Sequence, residues 1–375
     1  MNFKNAMIYT ENFRFERGAF SVENGRFANV MGQAAPDAVD LEGAYVIPGL
    51  IDVHTHGNSG YDFSDGSYEG LKTMCRYLAA CGVTSWAPTS LTLPYEQLAA
   101  AYATAKRLRQ EGGENMAAIR GIHMEGPFFS EAKKGAQNSE YLRTPDYEAF
   151  RKLNEECGGL IKIADVAPEL PGAADFIAKA SKDCTVSLAH TDTSYDEAVR
   201  GIGAGATHLT HLYNGMNGLH HRKPGPIAAA VEAEGVSAEL ICDGLHVHPA
   251  MVRLAFRMFG ADRMVLISDS LRCCGMPDGQ YEIGGQAAFL SGGVARLADG
   301  TLAGSATNVY DCMLRAISFG VKKEDAIRAA TWNPARQLHC LEEVGSIANG
   351  KQADFVLCNE ALAPSAVYLA GRKVN

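Results

Sequence analysis

Val46-Ile47-Pro48-Gly49-Leu50-Ile51-Asp52-Val53-His54-Thr55-His56-Gly57 is a short apolar run that ends in two histidines. In an extended strand, residues i and i+2 project to the same side, so both imidazoles can reach one ion. The layout recurs along the chain. Glu125 follows Ile119-Arg120-Gly121-Ile122-His123-Met124, His190 follows Thr185-Val186-Ser187-Leu188-Ala189, and His211 follows Ala206-Thr207-His208-Leu209-Thr210. Asp269 follows Met264-Val265-Leu266-Ile267-Ser268. Neutral imidazoles and carboxylates suit borderline divalent metals such as zinc or iron(II). A carboxylate such as Glu125, in Met124-Glu125-Gly126-Pro127, is awkward to bury without a counter-charge, and a metal supplies one. Polar groups placed at the ends of several strands converge on one mouth, as in a hydrolytic metal site on a β/α barrel.

Eight strand-like runs support that architecture, near residues 48–54, 83–88, 117–124, 161–166, 185–190, 206–211, 237–242 and 264–269. Helical patterns separate them, near 67–81, 94–111, 145–157, 172–182, 194–204, 226–234 and 248–260, with another at 307–319. Pro94, Pro145 and Pro171 sit near helix starts, where a missing N–H costs little. Strands alternating with helices imply parallel pairing with right-handed crossovers, and eight such units imply closure. The fold class expected is therefore α/β, a (β/α)8 TIM-like barrel over residues 48–342.

The chain ends read differently. Residues 1–47 hold short extended runs broken by Asn24-Gly25, a hairpin signal, and residues 343–375 add three more. Neither segment carries enough apolar residues for its own core, so one small β-sandwich assembled from both is expected. The glycine-rich stretch 275–303 reads as an insertion or hairpin near the site.

Composition narrows the partners. The 375 residues carry a net charge of −9, which argues against a nucleic-acid or anionic-membrane surface. The ten cysteines are scattered without a CxxC pair, and the amino terminus lacks a long apolar segment. Reduced thiols and a cytoplasmic location are the expectation. No apolar stretch approaches the ~18 residues of a membrane-spanning helix. His123, His208 and His339 are expected to be structural, and His248 to lie at a helix start.

Particular motifs sharpen the reading. The chain resembles the N-acetylglucosamine-6-phosphate deacetylases of the amidohydrolase superfamily over essentially its whole length. The resemblance rests on 48–57, on Gly121-Ile122-His123-Met124-Glu125-Gly126-Pro127-Phe128, on Lys133-Lys134-Gly135-Ala136, and on Ala167-Pro168-Glu169. Further along it rests on His211-Leu212-Tyr213-Asn214-Gly215-Met216, Asp243-Gly244-Leu245-His246 and Leu302-Ala303-Gly304-Ser305. His-x-His marks only the superfamily; the motifs at 211–216 and 243–246 are more specific.

The resemblance implies metal ligands at Glu125, His190 and His211, with His54 and His56 matching the members that hold a second ion. Two divalent ions per chain, zinc or iron(II), are therefore expected, with Glu125 bridging them. It implies a catalytic acid/base at Asp269. Substrate contacts are implied at Ala136, Asn214, Gly215, Arg222, His246, Leu302, Ala303 and Gly304. A sugar-phosphate substrate and a homodimer whose subunits complete each other's pockets are also implied. One departure stands out: the family reads Lys-Lys-Gly-Ala-His-Asn-Pro where this chain reads Lys133-Lys134-Gly135-Ala136-Gln137-Asn138-Ser139. Gln137 can donate a neutral hydrogen bond beside the substrate but cannot transfer a proton.

The expected reaction is release of acetate from an N-acetylhexosamine 6-phosphate. Asp269 would shuttle the proton, and Arg222 would grip the phosphate with its guanidinium fork. Two readings compete with it. One is a cyclic-amidase-like enzyme bridged by a carboxylated lysine, a place that Glu125 takes here. The other is a sugar-phosphate sensor without catalysis, against which Asp269 speaks.

Overall fold

A computed structural model of the protein describes residues 1–374. Eight parallel strands form the barrel: Leu50–Thr55, Val83–Ser90, a third split into Ala118–Ile119 and Ile122–Met124, then Ile161–Val166, Thr185–Leu188, His208–Leu209, Ser237–Ile241 and Met264–Ile267. Each pairs with the next through a parallel ladder from the first strand to the eighth. Among the described residues no ladder joins the eighth strand back to the first. That seam is closed by backbone bonds from Asp269 N to His54 O (2.9 Å) and from His56 N to Ser270 O (2.8 Å), and by Ser268 Oγ donating to Asp52 Oδ2 at 2.5 Å. The architecture is the (β/α)8 barrel expected from the sequence.

Local sequence accounts for the helices between the strands. Ser67, Asp146, Ser194 and Asn308 each accept a backbone N–H at the start of a helix, and Ser194 with Glu197 forms a reciprocal capping box. His248 caps the helix Pro249–Phe259 through its ring nitrogen, at the helix start where it was expected. Two short helices after the last large one, Lys323–Ala330 and Trp332–Gln337, have no counterpart in the sequence reading.

The barrel interior divides into two layers. Ile51, Val53, Ala87, Ile163, Ile241, Val265 and Ile267 pack together with Ala335 and Leu338, which close the end where the strands begin. Toward the strand ends the filling turns polar: His123 bridges Val53 O (3.0 Å) and Asp165 (2.9 Å), and Thr210 donates to the same carboxylate at 3.0 Å. His208 meets Glu239 at 3.2 Å. The site rests on this polar layer.

The two ends of the chain meet in one connected eight-stranded sheet, in which Tyr45–Pro48 pairs antiparallel with Phe355–Cys358 and parallel with Met7–Ile8. Its core is aromatic: Phe20 lies 4.8 Å from Phe3 and 5.3 Å from Phe355, centroid to centroid, and Phe355 stacks on Tyr368 at 4.4 Å. Residues 279–297 form a three-stranded antiparallel meander, held by Ile283, Ala288, Leu290, Ala295 and Leu297 against Leu91 and Leu271. All ten cysteines are unpaired thiols. No helix among the described residues is long and apolar enough to cross a membrane.

Candidate metal centre

His54, His56, Glu125, His190, His211 and Asp269 are all buried, and they converge at the carboxyl ends of the strands. The backbone there is bent sharply: φ is +43° at His190, +29° at His211 and +48° at Asp269. Non-glycine residues rarely adopt the left-handed region, at a cost of order 1–3 kcal/mol each. The bends turn three side chains inward just as their strands end. Gly215 makes room for them, since a Cβ there would lie 3.0 Å from the His190 ring.

The hydrogen bonds of the four imidazoles decide whether a cation fits. His190 Nδ1 meets Lys133 O at 2.8 Å, His211 Nδ1 meets Asn214 O at 3.1 Å, and His56 Nδ1 meets Thr89 O at 3.1 Å. His54 Nδ1 meets the Glu239 carboxylate at 2.9 Å. Each partner can only accept, so every Nδ1 carries the proton and, in a neutral ring, every Nε2 presents a lone pair. The four Nε2 atoms all point to one place. Those of His190 and His211 are 3.1 Å apart, and both lie within 3.2 Å of Glu125 Oε1. His56 Nε2 lies 3.2 Å from Glu125 Oε2 and 3.3 Å from Asp269 Oδ1, and His54 Nε2 is buried with no hydrogen-bond partner.

Lone pairs and carboxylates crowded together in a buried cluster call for positive charge. Three triads of ligand atoms are close enough to hold it: His54 with His56 and Asp269, and Glu125 with His190 and His211, both facing the cavity, and His54 with His123 and Glu239 in the layer beneath. A divalent metal fits the set. Where protons must serve instead, burial works against charge on the rings, yet the carboxylates win. Glu125 and Asp269 raise His56 to about 10, and together with Glu239 they raise His54 well above its ordinary value. The same rings hold Glu125 well below the usual carboxylate range and Asp269 below it too, against the effect of burial.

A cavity of about 160 Å³ opens on this cluster. Of the substrate positions expected from sequence, Ala136, Gln137, Asn214, Gly215, His246, Leu302, Ala303 and Gly304 all line it. Arg222 does not. It is exposed in a separate cavity of about 940 Å³ with Asp192, Tyr195, Asp196 and Lys223, so within one chain the expected phosphate grip is not assembled. Gln137 lies in the cavity wall with both polar ends engaged: Oε1 accepts from Thr92 N (2.8 Å) and Nε2 donates to Glu125 Oε2 (2.6 Å). It braces the Glu125 carboxylate.

His246 donates from Nδ1 to Asp243 (2.6 Å) and from Nε2 to Ala303 O (2.8 Å). Burial opposes its charge, but Asp243 raises it above its ordinary value. Sequence reasoning named His246 without Asp243, although the i,i+3 spacing in Asp243-Gly244-Leu245-His246 was the signal. It also missed Leu91, Leu271 and Ile283, which with Leu302 make the larger apolar part of the lining. Nothing local marks those three as more than core residues.

Comparison with known proteins agrees with the geometry. A profile of the amidohydrolase family covers residues 45–374. An N-acetylglucosamine-6-phosphate deacetylase of Bacillus subtilis is 36% identical over 94% of this chain and 92% of its own length. An N-acetylgalactosamine-6-phosphate deacetylase of Escherichia coli O157:H7 is 35% identical over 87% of this chain and 86% of its own. The crystal structure of the N-acetyl-D-glucosamine-6-phosphate deacetylase from Mycobacterium smegmatis superposes with a TM-score of 0.93 at 31% identity, covering 100% of both chains.

Proposed function

The chain belongs to the amidohydrolase family, and from that membership we propose that it hydrolyses N-acetyl-D-glucosamine 6-phosphate to glucosamine 6-phosphate and acetate. The observation that carries the reading is the convergence of four imidazole Nε2 atoms and Glu125 beside Asp269 on one small cavity. We assign His54, His56, Glu125, His190 and His211 as the residues that would hold two divalent ions, zinc or iron(II); Glu125 faces His190 and His211 with one oxygen and His56 with the other. An ion held there supplies Lewis acidity toward the acetyl carbonyl and acidifies water toward neutrality.

The chain's own residues do the rest. Asp269 is ionised and lies at the boundary between the ligand rings and the cavity, placed to take a proton from water and return it to the departing amine nitrogen. The doubly donating His246 lends positive charge to the wall that faces the sugar. Leu91, Leu271, Ile283 and Leu302 offer an apolar surface that keeps bulk water from the acetyl end. Arg222 reaches a phosphate only if a second copy of the chain brings it, and a homodimer of that kind is part of this reading. So are a cytoplasmic location and a division into a barrel, 48–342, and a small domain built from 1–47 and 343–375.

The galactosamine epimer is the second reading, supported by the 35% identical relative named for that sugar. Acetate release from N-acetylhexosamines with and without the 6-phosphate, beside elemental analysis of the protein, tests both. The reading expects turnover of the glucosamine 6-phosphate derivative above all others, with metal present. Preference for the galactosamine compound selects the second reading, and no acetate from any sugar phosphate sinks both.

A further inference from the structure

The polar layer under the site holds a carboxylate that none of these roles uses. Glu239 stands in the middle of the seventh barrel strand, Ser237–Ile241, with no exposed surface. A charge so placed survives only where donors surround it. Oε2 lies 2.9 Å from His54 Nδ1 and 3.2 Å from the backbone N of His211. Oε1 faces His208 Nε2 at 3.2 Å and His123 Nδ1 at 3.9 Å. His54 stands one residue before the end of the first strand and His211 follows the sixth, and the two fall in different triads facing the cavity.

We propose that Glu239 is a positioning residue that fixes the two ligand triads relative to each other, because one oxygen holds the His54 ring and the backbone turn at His211 together. The proposal rests on the metal-centre reading above. A carboxylate only accepts, so its bond keeps the proton on His54 Nδ1 and leaves Nε2 bare toward the cavity. The bond to His211 N supports a residue whose φ of +29° is otherwise uncomfortable. An oxygen that serves both cannot move for one without disturbing the other.

The test uses the full-length, metal-loaded protein, with bound metal measured against increasing chelator. Asp165 is the comparison: it is equally buried in the same layer but bonds His123 and Thr210, and no ligand. Glu239→Gln keeps the shape and removes the charge, so metal should be lost at about 10- to 100-fold lower chelator, the usual cost of removing an outer partner of a ligating histidine. Asp165→Asn should stay within about threefold of wild type, and both metal-free variants should keep the wild-type circular dichroism spectrum. Wild-type metal retention in Glu239→Gln, or equal loss in both variants, overturns the proposal. So does a Glu239→Gln chain that fails to fold, since that assigns Glu239 to the barrel and not to its ligands. A wild-type chain that takes up no divalent metal at all instead overturns the metal-centre reading.

Discussion

Gly304→Ala should disable the site without emptying it. A Cβ at Gly304 would lie 2.5 Å from the carbonyl oxygen of Asp269, 3.1 Å from its Oδ1 and 3.2 Å from Leu271 Cδ2. Ordinary contact begins near 3.4 Å, so the first approach is short by about 0.9 Å. The crowded atom is backbone, and it already accepts from Ser305 N at 2.7 Å. Rotation of a side chain cannot relieve the clash; the strand end carrying Asp269 has to move. A displacement near 1 Å of a reacting group costs about 100-fold in rate, or roughly 2.7 kcal/mol in the barrier. Overpacking of this kind costs a further ~1–3 kcal/mol of stability. The assay is steady-state acetate release, with bound metal and melting temperature measured on the same samples. Gly203→Ala is the control: it lies in the helix Tyr195–Ala204 with nothing within 4 Å, and it should gain about 0.5–1 kcal/mol of stability with no change in kcat. If Gly304→Ala keeps kcat within threefold of wild type, the close packing of Gly304 on Asp269 has no catalytic consequence and the reasoning fails.

Asp269→Asn should leave bound metal and fold largely intact while kcat drops by about 10²–10⁴-fold; a variant with a tenth of wild-type kcat removes Asp269 from proton transfer. Arg222→Ala should lower kcat/KM for the phosphorylated sugar by about tenfold to a few hundredfold, the value of a hydrogen bond to a charged group, and barely touch the unphosphorylated one. Mixed dimers of Arg222→Ala with Asp269→Asn should regain activity, because the second subunit supplies Arg222 to an intact Asp269; mixtures as poor as their parents would refute sharing across subunits. The metal-free protein should lose stability as pH rises. Its His56 is held at about 10 against an ordinary 6.5, so the stabilisation from its neighbouring carboxylates is complete below about 6.5 and disappears as pH passes 10. Melting temperatures of chelated protein between those values should fall, and a flat or rising profile contradicts the charge arrangement.

Much of the barrel was legible because each strand is a short apolar run and each ligand stands at the run's end, where periodicity and chemistry change together. The interruption at Arg120-Gly121 was not legible. There the third strand breaks and passes so close to Lys162 that a Cβ on Gly121 would meet its Cγ at 2.5 Å, a tertiary contact with no local trace. Arg222 shows the opposite limit. Its residue type suits a phosphate, but a loop sequence does not say which cavity the loop faces. Glu239 could have been found, since a lone carboxylate inside Ser237-Ala238-Glu239-Leu240-Ile241 has no place in a buried parallel strand unless something beneath the site needs it.

The seam between the first and eighth strands gives the barrel an unusual kind of fastening. Among the described residues every other junction of the ring is a ladder of backbone bonds, while this one is made by isolated bonds, Asp269 N to His54 O, His56 N to Ser270 O and Ser268 to Asp52. A cation drawing on both of those side chains would therefore act as a clasp, tying the last strand to the first from above as Asp52 and Ser268 tie it from within. Amide exchange along 50–55 and 264–269 would then report occupancy of the centre more directly than exchange anywhere else in the ring.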